Sequence, residues 1–553
     1  MCIRDSYRYT NTTMLILGNK KAKLVNGKNI FDYADDLKVR VPTSCGRSGE
    51  CHECIVEIKK GYDKLTQPTN KESFLKEPYR LACQAKIAST EEPIEVSVLK
   101  RQPRILVDSK ISTNYPPFSP AIKKIGNYVF YNETQIDTYK DCIYGLAIDL
   151  GTTTVAMNLV NLESGEILTT TSFENPQKFG GSDVMNRISY DSTEFCGELQ
   201  KVIISSINFE IGELSRRLKF HRRRIYEIVI VGNSTMRDIF FGLNVQTIGE
   251  KPYKSTTELE FEKGTKSSTT LETRAKLIGL RIFPNAPIYG GPLIGCHIGS
   301  DIAAGMATLN FEKSEKHIML IDIGTNTEVV IGNSNHIIAA SCPAGPAFEG
   351  NGIVYGMPGY DGAIEKINIA NGTVEYQTIG GVEPQGICGS GLIDLLANLR
   401  NNDLMNPLGV FKDKSNEYLF APEHHMSLSR SDISILAQAK SANYCGQYIA
   451  LRSYGIPLSK IEKLYLAGGF ANYISIDNAI DIGFLANIDP LRIEKIGNSA
   501  LHGATILLLS KEKRSSIEQL VPKIEHIELE TTPDFFDIFV EGCQFKPMID
   551  IKQ

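Results

Sequence analysis

Four cysteines near the amino terminus are spaced to hold metal. Cys45, Cys51 and Cys54 form Cys-x5-Cys-x2-Cys, and Cys83 follows after a longer gap. Gly46, Ser48 and Gly49 fill the first gap, as a loop needs when it wraps a cluster and turns its N–H groups toward sulfur. Four thiolates can carry an iron–sulfur cluster or a structural zinc. Zinc ribbons usually bring two Cys-x2-Cys knuckles, and here there is one. The other cysteines (Cys2, Cys142, Cys196, Cys296, Cys342, Cys388, Cys445 and Cys543) show no paired spacing and read as ordinary, mostly buried thiols.

A second set of residues is repeated. Ile321-Asp322-Ile323-Gly324-Thr325-Asn326-Thr327-Glu328 ends an apolar run with a carboxylate and a Gly-Thr turn, and Ile148-Asp149-Leu150-Gly151-Thr152-Thr153-Thr154 repeats that order upstream. The backbone N–H groups of such turns face outward and suit phosphate. A third glycine turn, Leu466-Ala467-Gly468-Gly469-Phe470, follows another apolar run. One Asp-x-Gly-Thr turn is often only a polar loop. Three turns in this order resemble the nucleotide site of actin, sugar kinases and heat-shock chaperones, where two loops clasp phosphates and a Gly-Gly turn backs the adenosine. Neither a Gly-x-x-x-x-Gly-Lys-Ser/Thr loop nor a Gly-x-Gly-x-x-Gly opening a helix competes with that assignment.

The elements that must position these residues can be read around them. Near the cysteines, residues 23–28 suggest a hairpin and 30–37 a short helix, while 54–58 and 94–99 alternate like strands. With its flanks, the cysteine pattern resembles a [2Fe-2S] ferredoxin whose first gap is one residue longer than the plant-type spacing. Pro103, Pro116, Pro117 and Pro120 rule out a continuous helix over 101–143 and fit a semi-rigid connector. From Tyr144 on, strands alternate with helices. A helix over about 194–220 carries Phe195, Leu199, Ile203, Ile207, Ile211, Leu214 and Leu218 as a core stripe, and the strand 225–231 ends at a rim loop, Gly232-Asn233-Ser234-Thr235. Ser390 is the expected N-cap of a later helix. A helix over 432–452 carries Lys440, either exposed or reaching the nucleotide, and residues 497–504 have the small side chains of a close helix crossing.

At 553 residues the chain has room for three or four domains. The expected division is a non-native leader at 1–13 with Met14 the true start, a cluster module at 14–100, the connector at 101–143, and two lobes at 144–316 and 317–553. A net charge of −5 argues against nucleic acid as partner, and the basic run His221-Arg222-Arg223-Arg224 reads as a solvated helix end. No apolar stretch approaches membrane-spanning length and no export signal is evident, so no membrane is expected and the cytoplasm is the expected compartment.

A ferredoxin module in front of this nucleotide fold resembles the reductive activators of corrinoid-dependent enzymes. Further stretches carry the likeness: Asn175-Pro176-Gln177, Gly181-Ser182-Asp183-Val184-Met185-Asn186-Arg187-Ile188, Gly299-Ser300-Asp301 and Ala344-Gly345-Pro346-Ala347-Phe348-Glu349-Gly350. The resemblance implies a multidomain α/β protein, with an N-terminal β-grasp ferredoxin-type domain and a two-lobed actin-like ATPase built on a duplicated ribonuclease H-like fold. It implies a [2Fe-2S] cluster on Cys45, Cys51, Cys54 and Cys83, and ATP with Mg²⁺ facing Asp149 and Asp322. Phosphates would lie on Gly151, Thr152, Thr153, Gly324, Thr325 and Asn326, and adenosine on Gly468, Gly469 and Phe470. Glu328 would position water or make a local hydrogen bond. The implied activity is ATP-dependent reduction of cob(II)amide to cob(I)amide on the corrinoid protein of a methyltransferase system. An upstream electron donor is required and a homodimer is compatible. A small-molecule kinase with a fused redox module, or an activator of a different radical enzyme, would share the same loops.

Overall fold

The computed structural model describes residues 13–18, 20–98, 118–370 and 372–549; the leader before Thr13 and the first part of the connector lie outside them. The chain forms two compact units. One gathers Met1–Arg101, Phe173–Arg222 and Gly279–Arg281, and the other Gln102–Ser172, Arg223–Ile278 and Ile282–Gln553.

In the first unit β1 (Met14–Leu17), β2 (Lys20–Lys23), β3 (Ile55–Lys60), β4 (Tyr79–Leu81) and β5 (Ile94–Val98) lie in the order β2-β1-β5-β3-β4. β1 and β5 are parallel and the other pairs antiparallel, which is the mixed sheet of a β-grasp ferredoxin-type domain. Alternation sends Leu15, Val56 and Val96 into its core. The helix Ile30–Asp36 buries Ile30, Phe31, Tyr33 and Ala34 and is capped by the Asn29 side chain. The hairpin lies between β1 and β2 rather than at 23–28, where Gly27 instead turns the chain into this helix. Residues 173–222, expected in the first lobe, group with this unit and supply the helices Val184–Asp191 and Glu198–Arg217.

The second unit opens with an antiparallel meander, β6 (Ile122–Ile125), β7 (Tyr128–Tyr131) and β8 (Thr134–Thr138), where only a connector was expected. Two six-stranded sheets follow. The first contains β9 (Tyr144–Leu150), β10 (Thr154–Asn161), β11 (Ile167–Glu174), β12 (Ile225–Val231), β13 (Leu271–Arg274) and β14 (Pro287–Gly290), in the order β11-β10-β9-β12-β14-β13. The second begins with β15 (Ile318–Ile323), β16 (Thr327–Gly332) and β17 (Ile337–Cys342). A small sheet of β18 (Ala363–Ala370), β19 (Thr373–Thr378) and β20 (Gly386–Ile387) and a hairpin of β21 (Glu417–Ala421) and β22 (Met426–Ser429) intervene. Then β23 (Lys463–Ala467), β24 (Ile493–Gly497) and β25 (Glu525–Ile527) complete the order β24-β23-β15-β16-β17-β25. In both sheets a hairpin-linked trio is extended beside its first strand by two parallel strands, β12 and β14 in one, β23 and β24 in the other. The fold is therefore duplicated, as the repeated loops implied.

The helices Ser300–Leu309 and Ser499–Leu509 cross between the sheets, in one apolar core with Ala147, Val229, Leu320 and Ile496. Their backbones touch: a Cβ on Gly503 would lie 2.0 Å from the Ala304 carbonyl oxygen. Two local expectations are corrected. The helix Gly389–Asn401 has Cys388, not Ser390, at its N-cap, because helical backbone already begins at Gly389. Lys440 is not exposed: it is fully buried, and its Nζ donates to the carbonyls of Ile482 (3.0 Å) and Gln544 (2.7 Å). Among the described residues no helix is long and apolar enough to cross a membrane.

Candidate functional site

Each Asp-x-Gly-Thr sequence is the tip of a hairpin. In β9–β10, Asp149 stands opposite Ala156 and the Gly151 N–H donates to the Thr154 carbonyl at 3.0 Å. A Cβ on Gly151 would approach that oxygen to 2.6 Å, so the turn needs glycine. In β15–β16, Asp322 stands opposite Glu328 and the Gly324 N–H donates to the Asn326 carbonyl at 2.9 Å. The tips meet: the hydroxyls of Thr153 and Thr325 are 3.2 Å apart. The third turn joins them because β23 runs parallel to β15. Gly468 has φ +106°, and a Cβ there would fall 2.1 Å from the Ile323 carbonyl oxygen. Gly469 is half-buried beside it; the Phe470 side chain lies outside the described part.

Carboxylates surround this meeting point. Asp149 accepts from the Asn498 Nδ2 at 2.8 Å and Asp322 from the Ser499 hydroxyl at 3.2 Å, both donors opening the helix Ser499–Leu509. Asp301 opens the partner helix Ser300–Leu309. Burial pushes the carboxyls of Asp149 and Asp322 up to about 7, and the charge of Asp301 adds to the rise in each. Burial likewise raises Asp301 to about 6. Glu328 is raised further, by burial and then by Asp301 and Asp322; it accepts from the Ser341 hydroxyl at 3.2 Å, a local bond across the sheet. At the rim, the Asn233 side chain donates to the Thr152 hydroxyl at 2.9 Å.

The four cysteines lie in the first unit, on a loop bent by the left-handed residues Gly46, Arg47, Gly49 and His52 and on the turn after β4. They come as two pairs. Cys54 and Cys83 have sulfurs 3.4 Å apart, and Cys51 is hydrogen-bonded to Cys45. Against the upward push of burial, hydrogen bonds from Ser48, Cys51 and backbone N–H groups hold the Cys45 thiol down at about 5. The hydrogen bond with Cys54 lowers Cys83 to about 7. Burial raises the Cys51 thiol, and the bond with Cys83 followed by burial raises Cys54, so the fit to a [2Fe-2S] cluster rests on four sulfurs gathered as two pairs, which would hold it as thiolates. The buried Glu72–Arg80 pair fixes the approach to Cys83, with Glu72 accepting from Arg80 (2.8 Å) and from the Leu81 N–H (2.9 Å).

Comparison with known proteins identifies the domains that carry these loops and cysteines. A 2Fe-2S iron–sulfur cluster binding domain matches residues 16–88, the RACo middle region matches 144–314, and the C-terminal domain of RACo, described as its ASKHA domain, matches 316–551. The corrinoid activation enzyme RamQ of Eubacterium limosum is 34% identical over 430 residues, covering 73% of this chain and 70% of that protein. The chain belongs to the RACo family. It is also 24% identical to a Methanosarcina barkeri protein named as a reductase of the Co(II) methylated amine-specific corrinoid protein, over 72% of this chain and 76% of that one. A solved reductive activator for corrinoid, iron-sulfur protein superposes over 97% of this chain and 99% of its own, with TM-score 0.71 and 26% identity.

Sequence reading expected the loop containing Asn233 at the nucleotide rim, and singled out the stretches containing Asp301, Asn498, Ser499 and Glu349 without assigning those four a part. The structure places all five at the loop tips or the acids behind them.

Proposed function

We propose that the chain is an ATP-dependent reductive activator that passes one electron to the cob(II)amide cofactor of a corrinoid protein, returning it to cob(I)amide for methyl transfer. One observation carries the reading: a family member holds paired cluster cysteines and clasped Asp-Gly-Thr loops in a single chain. Cys45, Cys51, Cys54 and Cys83 would hold a [2Fe-2S] cluster, which supplies electrons one at a time and is recharged by an upstream donor. Asp149 and Asp322, whose carboxyls burial raises to about 7, would face Mg²⁺ partly through waters, since Mg²⁺ dehydrates reluctantly. Gly151, Thr152, Thr153, Gly324, Thr325 and Asn326 would cradle the phosphates, and Gly468, Gly469 and Phe470 the adenosine.

Moving an electron uphill costs about 2.3 kcal/mol per 100 mV, so a mild cluster needs a bias. The crossing helices suit the coupling, because Asn498 and Ser499 tie both loops to a packed contact that nucleotide would shift between discrete arrangements. The reading takes 14–100 as the electron-transfer module, 144–316 and 317–553 as the lobes, and the cytoplasm as the compartment. Adding cognate cob(II)amide protein should accelerate ATP hydrolysis. A rate indifferent to that protein, with phosphorylation of an added metabolite, would replace the activator by a kinase.

A further inference from the structure

The side chain that joins the two hairpin tips belongs to neither. Glu349 ends the short turn Ala347–Glu349, and its two carboxylate oxygens accept from Thr325 at 2.8 Å and from Thr153 at 2.9 Å. Backbone geometry aims it. The Gly345 N–H donates to the Thr325 carbonyl at 2.8 Å, Gly350 follows with φ +90°, and a Cβ on Gly350 would come within 2.3 Å of the Met357 nitrogen. Phe348, one residue earlier, packs edge-on against Phe484 with ring centroids 4.9 Å apart, so the turn is seated on the second-lobe core. A small pocket lined by Gly324, Gly345, Phe348, Glu349, Asn443 and Phe484 opens beside it.

We infer that Glu349 is an internal stand-in for the nucleotide phosphate, latching the loops together in the nucleotide-free chain and displaced when phosphate enters. The inference rests on the nucleotide reading of the loops. A threonine hydroxyl has one proton to give, so Thr153 and Thr325 cannot donate to Glu349 and to a phosphate together. A carboxylate and a phosphate held side by side would also repel. Burial pushes the Glu349 carboxyl upward, and the hydrogen bonds from Thr325 and Thr153 oppose that push, so the two threonines are what favour its charged form at the tips. Entry of phosphate therefore breaks both bonds and frees the turn, converting loop occupancy into a change at residues 345–352.

Calorimetry of Mg·ATP binding on the full chain, with Glu349→Ala and Glu349→Gln, tests this alongside hydrogen exchange of residues 345–352 with and without nucleotide. Glu349→Ala should bind at least about tenfold tighter, about 1.4 kcal/mol, and Glu349→Gln, which keeps an acceptor and loses the charge, should fall between. In the unsubstituted chain Mg·ATP should speed exchange at 345–352. Equal or weaker binding by Glu349→Ala, or protection of 345–352 by Mg·ATP, would overturn the latch and make Glu349 a structural residue or a nucleotide ligand. Should the alanine variant not fold, the glutamine variant and the unsubstituted exchange data decide. If the unsubstituted chain binds no Mg·ATP, the nucleotide reading falls and the latch with it; intact binding with unchanged variant affinity removes the latch alone.

Discussion

Asp149 and Asp322 hold matching places at the ends of matching strands, and each takes one hydrogen bond from the same helix start. Replacing Asp322 with alanine should weaken Mg·ATP binding by at least about 1.4 kcal/mol, tenfold in affinity, and Asp149→Ala should behave alike; unchanged calorimetric affinity would remove the residue from the site. These two were legible because their Asp, Gly and Thr neighbours recur in order. Asp301, Asn498 and Ser499 were not, because Asp, Asn and Ser at a helix start are equally explained as caps, and only the fold brings those starts to the loops. Lys440 misled for a related reason: a lysine on an amphipathic helix reads as exposed, yet two backbone carbonyls receive it in the core. Burial lowers its pKa to about 7, against an ordinary lysine value of 10.5. The unfolded chain then holds more protons between those values, so folding stability should rise with pH from about 7 toward 10.5. Lys440→Met should flatten that slope in denaturant titrations across the interval. An unaltered slope would mean the ammonium is not held back.

The hairpins, their parallel neighbours and the helix crossing are where sequence reading succeeded at the level of elements. Apolar runs ending in Asp or Gly announce buried strands, and Gly503 among small residues announces a close approach. Placing a Cβ there forces the helix starts apart. Gly503→Ala should cost about 1–3 kcal/mol of unfolding free energy, as overpacking does, and should loosen Mg·ATP binding as well, because Asp301, Asn498 and Ser499 ride on the two helices. A stable variant with unaltered binding would show that the crossing does not set the site. The meander β6–β8 escaped notice because Ile122 and Val129 are almost its only buried apolar residues, leaving little alternation to read. The grouping of 173–222 with the ferredoxin-type fold was equally hidden. Its contacts, such as the Tyr190 hydroxyl donating to the Phe74 carbonyl at 2.8 Å, join residues more than a hundred positions apart.

Across the whole molecule, the cluster and the nucleotide loops lie in different compact units, so each chemistry can be removed separately. Anaerobically purified protein should contain two irons and two acid-labile sulfides per chain, as a [2Fe-2S] cluster requires. Cys51→Ser should lose them while keeping Mg·ATP binding. Stoichiometric zinc without labile sulfide would end the iron–sulfur assignment. The account's central claim is that nucleotide supplies the bias for a reduction the cluster cannot complete alone. The most direct measurement follows the absorption spectrum of the cognate corrinoid protein as it is mixed with pre-reduced activator, with and without Mg·ATP. Conversion of cob(II)amide to cob(I)amide only when Mg·ATP is present is the predicted result. Equal reduction without nucleotide would contradict it.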